Sequence, residues 1–357
     1  MQLRALQKRA ALHALKILGG FWLCRMLTRR RLRILCYHGI SVGDQNEFAP
    51  ILFMRPDTFR RRMALLRNLN VRVVSLSYAI ALLRGNEVRH GETVITIDDG
   101  WKSTLNLGIP ILREFGLSAC LYATTHYCER PVDVFNVAVR YLLWKTSLRE
   151  VVLAGLHPAL DGAYRVKADT EAVALHWIGA AERNLTWQQR QILLVDLCGA
   201  LGLDAKVELR DERFRLMTEQ DIERCHHFDI DVQLHTHRHS LSSTSFEEVA
   251  REVNENRLVL CRAKRTDCTH FCYPSGSYAK HHERWLTLLG VDSAATCDIG
   301  LNRFGSSLYF LKRHLDRDDA SDIEFEAEVC GVMEIARWLR GRFARMPQIA
   351  MAQPDAG

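Results

Sequence analysis

Thr96-Ile97-Asp98-Asp99-Gly100-Trp101 closes an apolar run that begins at Val94, and it places two adjacent carboxylates where a β-strand should end. Two ionised aspartates side by side repel each other, but the pair is tolerable if a cation takes one and the other handles protons. Adjacent side chains on an extended chain point in opposite directions, so both can face one cavity only across a turn, which Gly100 permits. The alternative is an ordinary surface turn, because Asp-Asp-Gly is a common turn sequence.

A cluster of histidines follows a second strand-like run, Ile230 to Leu234. His235 and His239 are four residues apart, the spacing that puts two imidazoles on one side of a helical turn. One carboxylate and two histidines leave a metal position open for water, as in catalytic zinc sites. On an extended strand His237 would share their face, so a three-histidine ligand set is the alternative. The pattern predicts a metal-dependent hydrolase.

These residues resemble the polysaccharide deacetylases, the NodB-like carbohydrate esterases. Four stretches match motifs of that family in order: the Tyr-His pair that opens many catalytic domains (Tyr37-His38), the Thr-Phe-Asp-Asp-Gly motif (Thr96 to Gly100, with Ile97 for Phe), the His-Ser/Thr-x-x-His motif (His235, Thr236 and His239) and the aromatic-Pro-x-Gly turn (Phe271 to Gly276). The resemblance covers roughly residues 31–318, and the four motifs together are specific although each alone is weak.

The resemblance implies a metal site and a base. Asp99, His235 and His239 would hold one divalent metal ion, with zinc the first choice, and Asp98 would be the general base. The implied activity is removal of the N-acetyl group from an N-acetylated sugar or polysaccharide. The alternatives are a catalytically silent carbohydrate-binding relative and a deformylase that acts on a sugar amine.

The resemblance also implies a substrate-binding turn and an acid. The turn Tyr273-Pro274-Ser275-Gly276 would line the sugar site, and one of its backbone amides would help to hold the oxyanion. The acid that protonates the leaving amine is assigned to His38. His314 is the alternative, but the stretch Leu311-Lys312-Arg313-His314 does not reproduce the Leu-x-His spacing of the family.

Short β-rich runs alternate with segments of helical period, the pattern of a parallel α/β fold. Each motif falls just beyond the carboxyl end of a strand, which is the face where α/β barrels build their sites. We therefore expect a deformed (β/α) TIM-like barrel. The predicted strands span residues 32–36, 71–75, 94–97, 119–123, 232–234, 271–273 and 293–296, and the predicted helices span residues 57–69, 78–83, 104–115, 218–225 and 245–264.

The chain is expected to have three parts: an amino-terminal helix over residues 1–30, a catalytic domain over 31–318 and a carboxyl-terminal helix with a frayed tail over 319–357. A mostly helical insertion is predicted at about residues 131–213. It either covers the active-site face or is a surface elaboration without contact to substrate.

Basic residues concentrate at the amino terminus. Nine of the 48 Lys and Arg lie in residues 1–33, which contain no acid, and the remainder is slightly acidic, so there is no case for nucleic-acid binding. Residues 3–27 are predicted to form one basic amphipathic helix. It either lies on an anionic membrane surface, with Phe21 and Trp22 at the headgroup level, or packs on the domain. Ile335 to Met346 invites the same two interpretations.

Three features of the sequence predict the cellular compartment of the protein. No apolar run is long enough for a transmembrane helix. The short apolar segment Ile17 to Cys24 lacks a small-residue cleavage site, which argues against a secretory signal. The 11 cysteines include no Cys-x-x-Cys and favour a reducing compartment. We expect a cytoplasmic protein, and peripheral contact with the inner membrane is one of the two interpretations of its amino-terminal helix.

Overall fold

The computed structural model describes residues 2–264 and 267–343. Its strands are β1 Arg33–Tyr37, β2 Gly39–Ile40, β3 Phe53–Met54, β4 Thr93–Ile97, β5 Ala119–Ala123, β6 Val151–Leu153, β7 Gly162–Tyr164, β8 Ile230–Leu234, β9 His270–Cys272, β10 Ser293–Ile299 and β11 Leu311–Leu315.

The helices are α1 Gln2–Ile17, α2 Gly20–Leu27, α3 Gln45–Phe48, α4 Pro56–Asn68, α5 Leu76–Arg84, α6 Ile109–Glu114, α7 Phe135–Lys145, α8 Thr170–Asn184, α9 Trp187–Ala200, α10 Ala205–Glu208, α11 Glu219–Cys225, α12 Phe246–Lys264, α13 His282–Leu288, α14 Asp322–Val329 and α15 Val332–Phe343. A π-helical turn, Thr104–Gly108, leads into α6, and the segments His226–Phe228 and Pro274–Gly276 are short 3₁₀ turns.

Seven parallel strands close into a barrel in the order β1-β11-β10-β9-β8-β5-β4. Strands β1, β4 and β5 are buried along their whole length, as expected of parallel strands that are covered by helices outside and filled by side chains inside. The predicted deformed (β/α) barrel is confirmed. All four sequence motifs lie at the carboxyl ends of its strands, so one face of the barrel collects them.

One predicted strand is wrong, and one strand of the barrel was not predicted. Residues 71–75 form no strand, and only Val73 makes an isolated bridge, to Thr93. The strand that closes the barrel instead is β11, which pairs with both β1 and β10. It was missed because three of its five residues are basic. The strand accommodates its basic residues, because Arg313 forms an ion pair with Asp98 inside the barrel and Lys312 is exposed to solvent.

The insertion contains helices α7 to α10 and the antiparallel pair β6–β7. It has an apolar core of its own, and this core reaches the barrel at Phe53 and Trp101, whose rings lie 4.9 Å apart. Its end is tied to the loop after β4, because the Lys102 amide donates to the Arg215 carbonyl at 2.9 Å. The insertion therefore lies on the carboxyl-end face of the barrel.

The predicted single helix over residues 3–27 is wrong. The chain breaks at Gly19, which has φ 76°, and α1 and α2 are bent by 80° relative to each other. Lys8 and Lys16 on α1 make ion pairs with Glu324 and Glu326 on α14, at 2.8 and 2.6 Å. Helix α1 thus packs on the domain, whereas α2 exposes most of its apolar residues.

Within the described residues, no single helix is long and apolar enough to cross a membrane, and the bent pair α1–α2 meets the criterion by length and composition only. The second basic-apolar stretch forms the end of α15, which reaches Phe343. Residues 344–346 of that stretch and the predicted frayed tail lie outside the described residues.

Candidate functional site

The turn after β4 aims two adjacent carboxylates at the mouth of the barrel. Asp99 has φ 71° and Gly100 has φ 88°, so both residues are left-handed. The Gly100 amide donates to the Asp98 carbonyl at 2.9 Å and closes the turn. A non-glycine residue in this region is strained and persists only where its surroundings hold it. The required turn is therefore present, and the strained backbone conformation includes Asp99 itself.

The Asp99 carboxylate lies between two imidazoles. Its Oδ1 is 3.3 Å from His235 Nε2 and 3.4 Å from His239 Nε2, and the three donor atoms lie within 4.8 Å of one another. Thr236 and His239 have φ 63° and 54°, so the chain turns here and does not continue as a strand. This turn brings together the three residues that the family resemblance assigned to the metal.

His237 is turned away from this group. Its Nδ1 is 2.9 Å from Thr125 Oγ1, and its ring packs edge-on against His126. Among the described residues, the metal-ligand groups that include His235 do not include His237. The three-histidine alternative would require the loop after β8 to change its conformation.

Neighbouring groups hold the ligand atoms in place. The Trp101 indole N–H donates to Asp99 Oδ2 at 2.8 Å, and His235 Nδ1 lies 2.9 Å from the Cys272 carbonyl. A hydrogen bond from Nδ1–H to that carbonyl fixes the ring with Nε2 directed at Asp99. Burial raises the pKa of Asp99, but hydrogen bonds from His235 and His239 outweigh it and hold the pKa well below its usual value.

Asp98 makes a buried ion pair with Arg313. The two guanidinium nitrogens lie 2.7 Å from the two carboxylate oxygens, a bidentate arrangement. Burial raises the pKa of Asp98, but the charge and hydrogen bonds of Arg313 prevail and lower it to about 2. The thiols of Cys36 and Cys272 border the same carboxylate, at 3.6 and 3.4 Å. Asp98 is thus ionised and fixed in orientation.

The sequence alone identifies Arg313 only as the neighbour of the candidate acid His314. Alternation along β11 carries a signal that could have identified it, because Arg313 shares a face with the buried Leu311 and lies opposite His314. The structure places Arg313 inside the barrel and directs His314 outward, where its Nδ1 is 4.0 Å from Glu328 Oε1.

The two candidate acids therefore lie on different sides of the barrel wall. His38 Nε2 is 4.0 Å from Asp98 Oδ2, and His38 Nδ1 is buried without a hydrogen-bond partner among the described residues. His314 packs against Phe325 of α14, with ring centroids 6.4 Å apart, on the outside of the barrel. The geometry favours His38 over His314.

Replacing Arg313 by Met is expected to destabilise the fold by roughly 3–5 kcal/mol, because it leaves the Asp98 carboxylate buried and unpaired. Arg317→Met is the matched control, since Arg317 is half exposed and pairs with the exposed Asp319. Urea unfolding of both variants measures the difference. Equal stability of the two variants would show that the Asp98–Arg313 pair contributes nothing to the fold.

The turn that the family resemblance assigned to the sugar site borders the cavity above Asp99 through one side chain. Tyr273 is fully buried and stacks on Phe310, with centroids 6.3 Å apart, and Pro274 is also buried. Ser275, with φ 54°, borders the same cavity as Asp99 and His239. Gly276 has φ 67°, and a Cβ there would lie 2.6 Å from Cys297, so this position requires glycine.

The cavity above Asp99 has a volume of ≈ 380 Å³. The barrel supplies its polar floor, and the insertion supplies a large part of its walls. The lining from the insertion consists of Val134, Phe135, Asn136, Val137, Glu182 and Arg190. Of the two interpretations of the insertion, the structure thus favours the one in which it covers the active-site face.

Comparison with known proteins adds two findings. Residues 200–294 match the polysaccharide deacetylase family model, a segment that contains His235, His239 and the turn at Pro274 but not the aspartate pair. No match was found among curated proteins.

Several solved structures share the fold. The deacetylase PplD of Streptococcus pyogenes, solved with acetate, is 16% identical, has a TM-score of 0.55 and is covered over 97% of its chain and 85% of this one. IcaB of Ammonifex degensii is 15% identical and has a TM-score of 0.54, and the match covers 97% of its chain and 84% of this one. A de-N-acetylase of Aggregatibacter actinomycetemcomitans is 12% identical and has a TM-score of 0.53, and the match covers 99% of its chain and 84% of this one.

Fold and site define a (β/α)-barrel protein with a carboxylate–histidine group at the carboxyl ends of its strands. Residues 200–294 of this barrel match the polysaccharide deacetylase family model, in agreement with the resemblance that the sequence motifs predicted. The prediction of a hydrolase of this type, which acts on non-peptide carbon–nitrogen bonds, is confirmed at the level of the family.

Proposed function

We propose that this protein removes the N-acetyl group from an N-acetylated sugar or polysaccharide and that it does so with a divalent metal ion. The observation that carries the proposal is the convergence of Asp99 Oδ1 with the Nε2 atoms of His235 and His239, beside an ionised Asp98. Of these residues, Asp99 and His239 line the cavity. The metal, the acetyl group and the roles of the residues are all part of the proposal.

The donor set fits a small divalent cation. Zinc–nitrogen and zinc–oxygen bonds of ~2.0–2.1 Å in a tetrahedron put ligand atoms roughly 3.3 Å apart, and the Asp99–His235 and Asp99–His239 separations are 3.3 and 3.4 Å. The bonds from Trp101 to Asp99 and from His235 to a carbonyl are of the kind that orient metal ligands. A divalent ion held here would polarise the amide carbonyl and ease loss of a proton from water.

Asp98 would take that proton. Its low pKa keeps it ionised, which a base requires, but also makes it a weak base that passes a proton on. His38 Nε2, 4.0 Å from Asp98 Oδ2, is close enough to receive the proton after a small movement and deliver it to the leaving amine. We assign Asp98 as the general base and His38 as the acid.

The turn after β9 supports the oxyanion. The Tyr273 and Gly276 amides are used in hydrogen bonds within the fold, and Pro274 has no amide hydrogen. The Ser275 amide is the donor of this turn nearest the cavity that Ser275 lines. A fixed backbone N–H directed at a developing negative charge is the usual oxyanion device.

Product analysis tests the function. Wild-type protein supplied with zinc is incubated with a panel of N-acetylated glycans and with an N-formylated sugar amine, and acetate and formate are measured. We expect acetate. Formate alone would favour a deformylase, and glycan binding with neither product would favour a silent carbohydrate-binding relative.

His38→Ala is expected to slow deacetylation by roughly 10²- to 10⁴-fold, the usual contribution of an acid or base. The loss should be smaller for an activated ester, whose leaving group needs no proton. His314→Ala is the matched control, because His314 lies outside the barrel and should leave the rate unchanged. A large loss in His314→Ala with none in His38→Ala would reverse the assignment.

We also propose that the protein is cytoplasmic and contacts an anionic membrane peripherally, with zinc as its metal. The part of the amino-terminal segment suited to this contact is α2, since the basic side chains of α1 at Lys8 and Lys16 are engaged by α14. Binding to anionic vesicles should weaken as salt rises, because salt screens surface charge.

A further inference from the structure

A second large cavity lies at the opposite end of the barrel from the candidate active site. Its volume is ≈ 750 Å³. Two of the segments that form it directly precede strands β1 and β4, so it opens at the amino ends of the barrel strands. Its lining consists of Trp22, Arg25, Met26, Arg29, Arg30, Asn70, Arg72, Arg89 and His90.

This amino-end cavity carries an excess of positive charge. Of its five arginines only Arg72 has an acidic partner among the described residues, Glu92 at 3.2 Å. Arg25 and Arg89 donate only to backbone carbonyls, of Asn70 and Asn86 among others, which leaves their charges uncompensated.

The side chains of Arg29 and Arg30 are exposed and make no hydrogen bond or ion pair within the described part of the chain. The positive field reaches a neighbour as well. Burial, together with the charges of Arg25 and Arg31, lowers the pKa of Arg33 to about 10. Uncompensated guanidinium groups around a cavity favour an anion with several oxygen acceptors, such as a phosphate.

Exposed apolar side chains lie in this cavity and on the helix segment that forms part of it. Trp22 is 67% exposed and lines the cavity together with Met26. Leu18 at the break between the helices and Leu27 at the end of α2 are 82% and 62% exposed. Single exposed apolar residues are ordinary, but a tryptophan in a basic cavity, with exposed aliphatic groups on and next to the same helix, matches the layered polarity of a lipid interface.

We propose that the amino-end cavity binds the phosphate headgroup of an anionic membrane lipid while Trp22 and the exposed aliphatic residues of α2 enter the interface. The inference rests on the proposed membrane contact and specifies its ligand. Charge complementarity selects the partner, because the phosphodiester of such a lipid would contact the arginines and its acyl chains would contact Trp22 and the exposed apolar residues of α2.

This docking fixes the orientation of the enzyme. The basic cavity and the metal-ligand group lie at opposite ends of the barrel strands, so a membrane on one face leaves the other face open to solution. Substrate would therefore reach the site from the aqueous side.

The test uses the full chain and vesicles of phosphatidylcholine with or without phosphatidylglycerol, in a sedimentation assay. Arg29→Gln/Arg30→Gln removes two unpaired charges of the cavity. Arg165→Gln/Arg210→Gln removes two exposed arginines from the insertion and is the matched control. We expect binding that requires phosphatidylglycerol, a roughly thirtyfold loss in the first variant and no change in the control. Deacetylation of a soluble substrate should be unaffected in both variants.

Three results would overturn the proposal, and they differ in meaning. Equal binding of both variants and wild type would exclude the cavity but keep the membrane contact. Absence of vesicle binding by wild type would remove the membrane contact itself. Displacement of vesicles by millimolar inorganic phosphate, with binding of that phosphate to the wild type alone, would assign the cavity to a free anion.

Discussion

Asp98→Asn is expected to keep the metal and to slow deacetylation by roughly 10²- to 10⁴-fold, because the carboxylate that takes the proton is gone. The substitution also leaves Arg313 buried without its counter-charge, so some stability should be lost. Steady-state rates of acetate release and metal content by mass spectrometry measure the two effects separately.

Asp316→Asn is the control that separates catalysis from stability. Asp316 is buried and pairs with the buried Arg62 at 2.9 Å, at the end of β11, and unlike Asp98 it belongs to none of the candidate metal-ligand groups of the described residues. We expect the control to lower stability and retain the rate. If Asp98→Asn keeps the rate, or loses the metal while Asp99→Asn keeps it, the roles given to the two aspartates are wrong.

Removal of the metal ligands is the second large effect. Joint replacement of Asp99, His235 and His239 by Ala should abolish metal binding, because no ligand of the set remains. Trp101→Phe should weaken it by roughly 10–100-fold, the usual cost of losing a group that orients a ligand. Metal titration by calorimetry measures both changes.

His237→Ala is the matched control for the ligands. His237 belongs to the same loop but bonds to Thr125, so metal affinity should not change. Loss of metal in His237→Ala would restore the three-histidine alternative, and unchanged metal in the triple variant would refute the ligand assignment.

The carboxyl ends of the strands were the most predictable part of this fold. Apolar runs such as Thr93–Ile97 and Ala119–Ala123 have strong strand propensity, and the polar motifs stop them at defined positions. Because parallel strands align their ends, residues far apart in sequence, such as Asp99 and His235, could be expected to meet.

Tertiary contacts explain what the sequence did not predict. Arg313 looks like a surface residue until its partner Asp98 is placed in the barrel interior. The apolar spacing of residues 3–27 does not reveal that Gly19 takes a left-handed conformation and bends the chain. Tyr273 matched a motif, but the fold needs its ring in the core, and its neighbour Ser275 faces the cavity instead.

Acetate release by metal-stripped protein tests the central claim most directly. Protein treated with a chelator, then freed of it, is assayed on an N-acetylated glycan while zinc is added back. The account predicts no acetate above background at the start and full activity at about one zinc ion per chain, with no recovery in the variant that lacks Asp99, His235 and His239. Acetate release by the stripped protein at the rate of the zinc-loaded protein would contradict it.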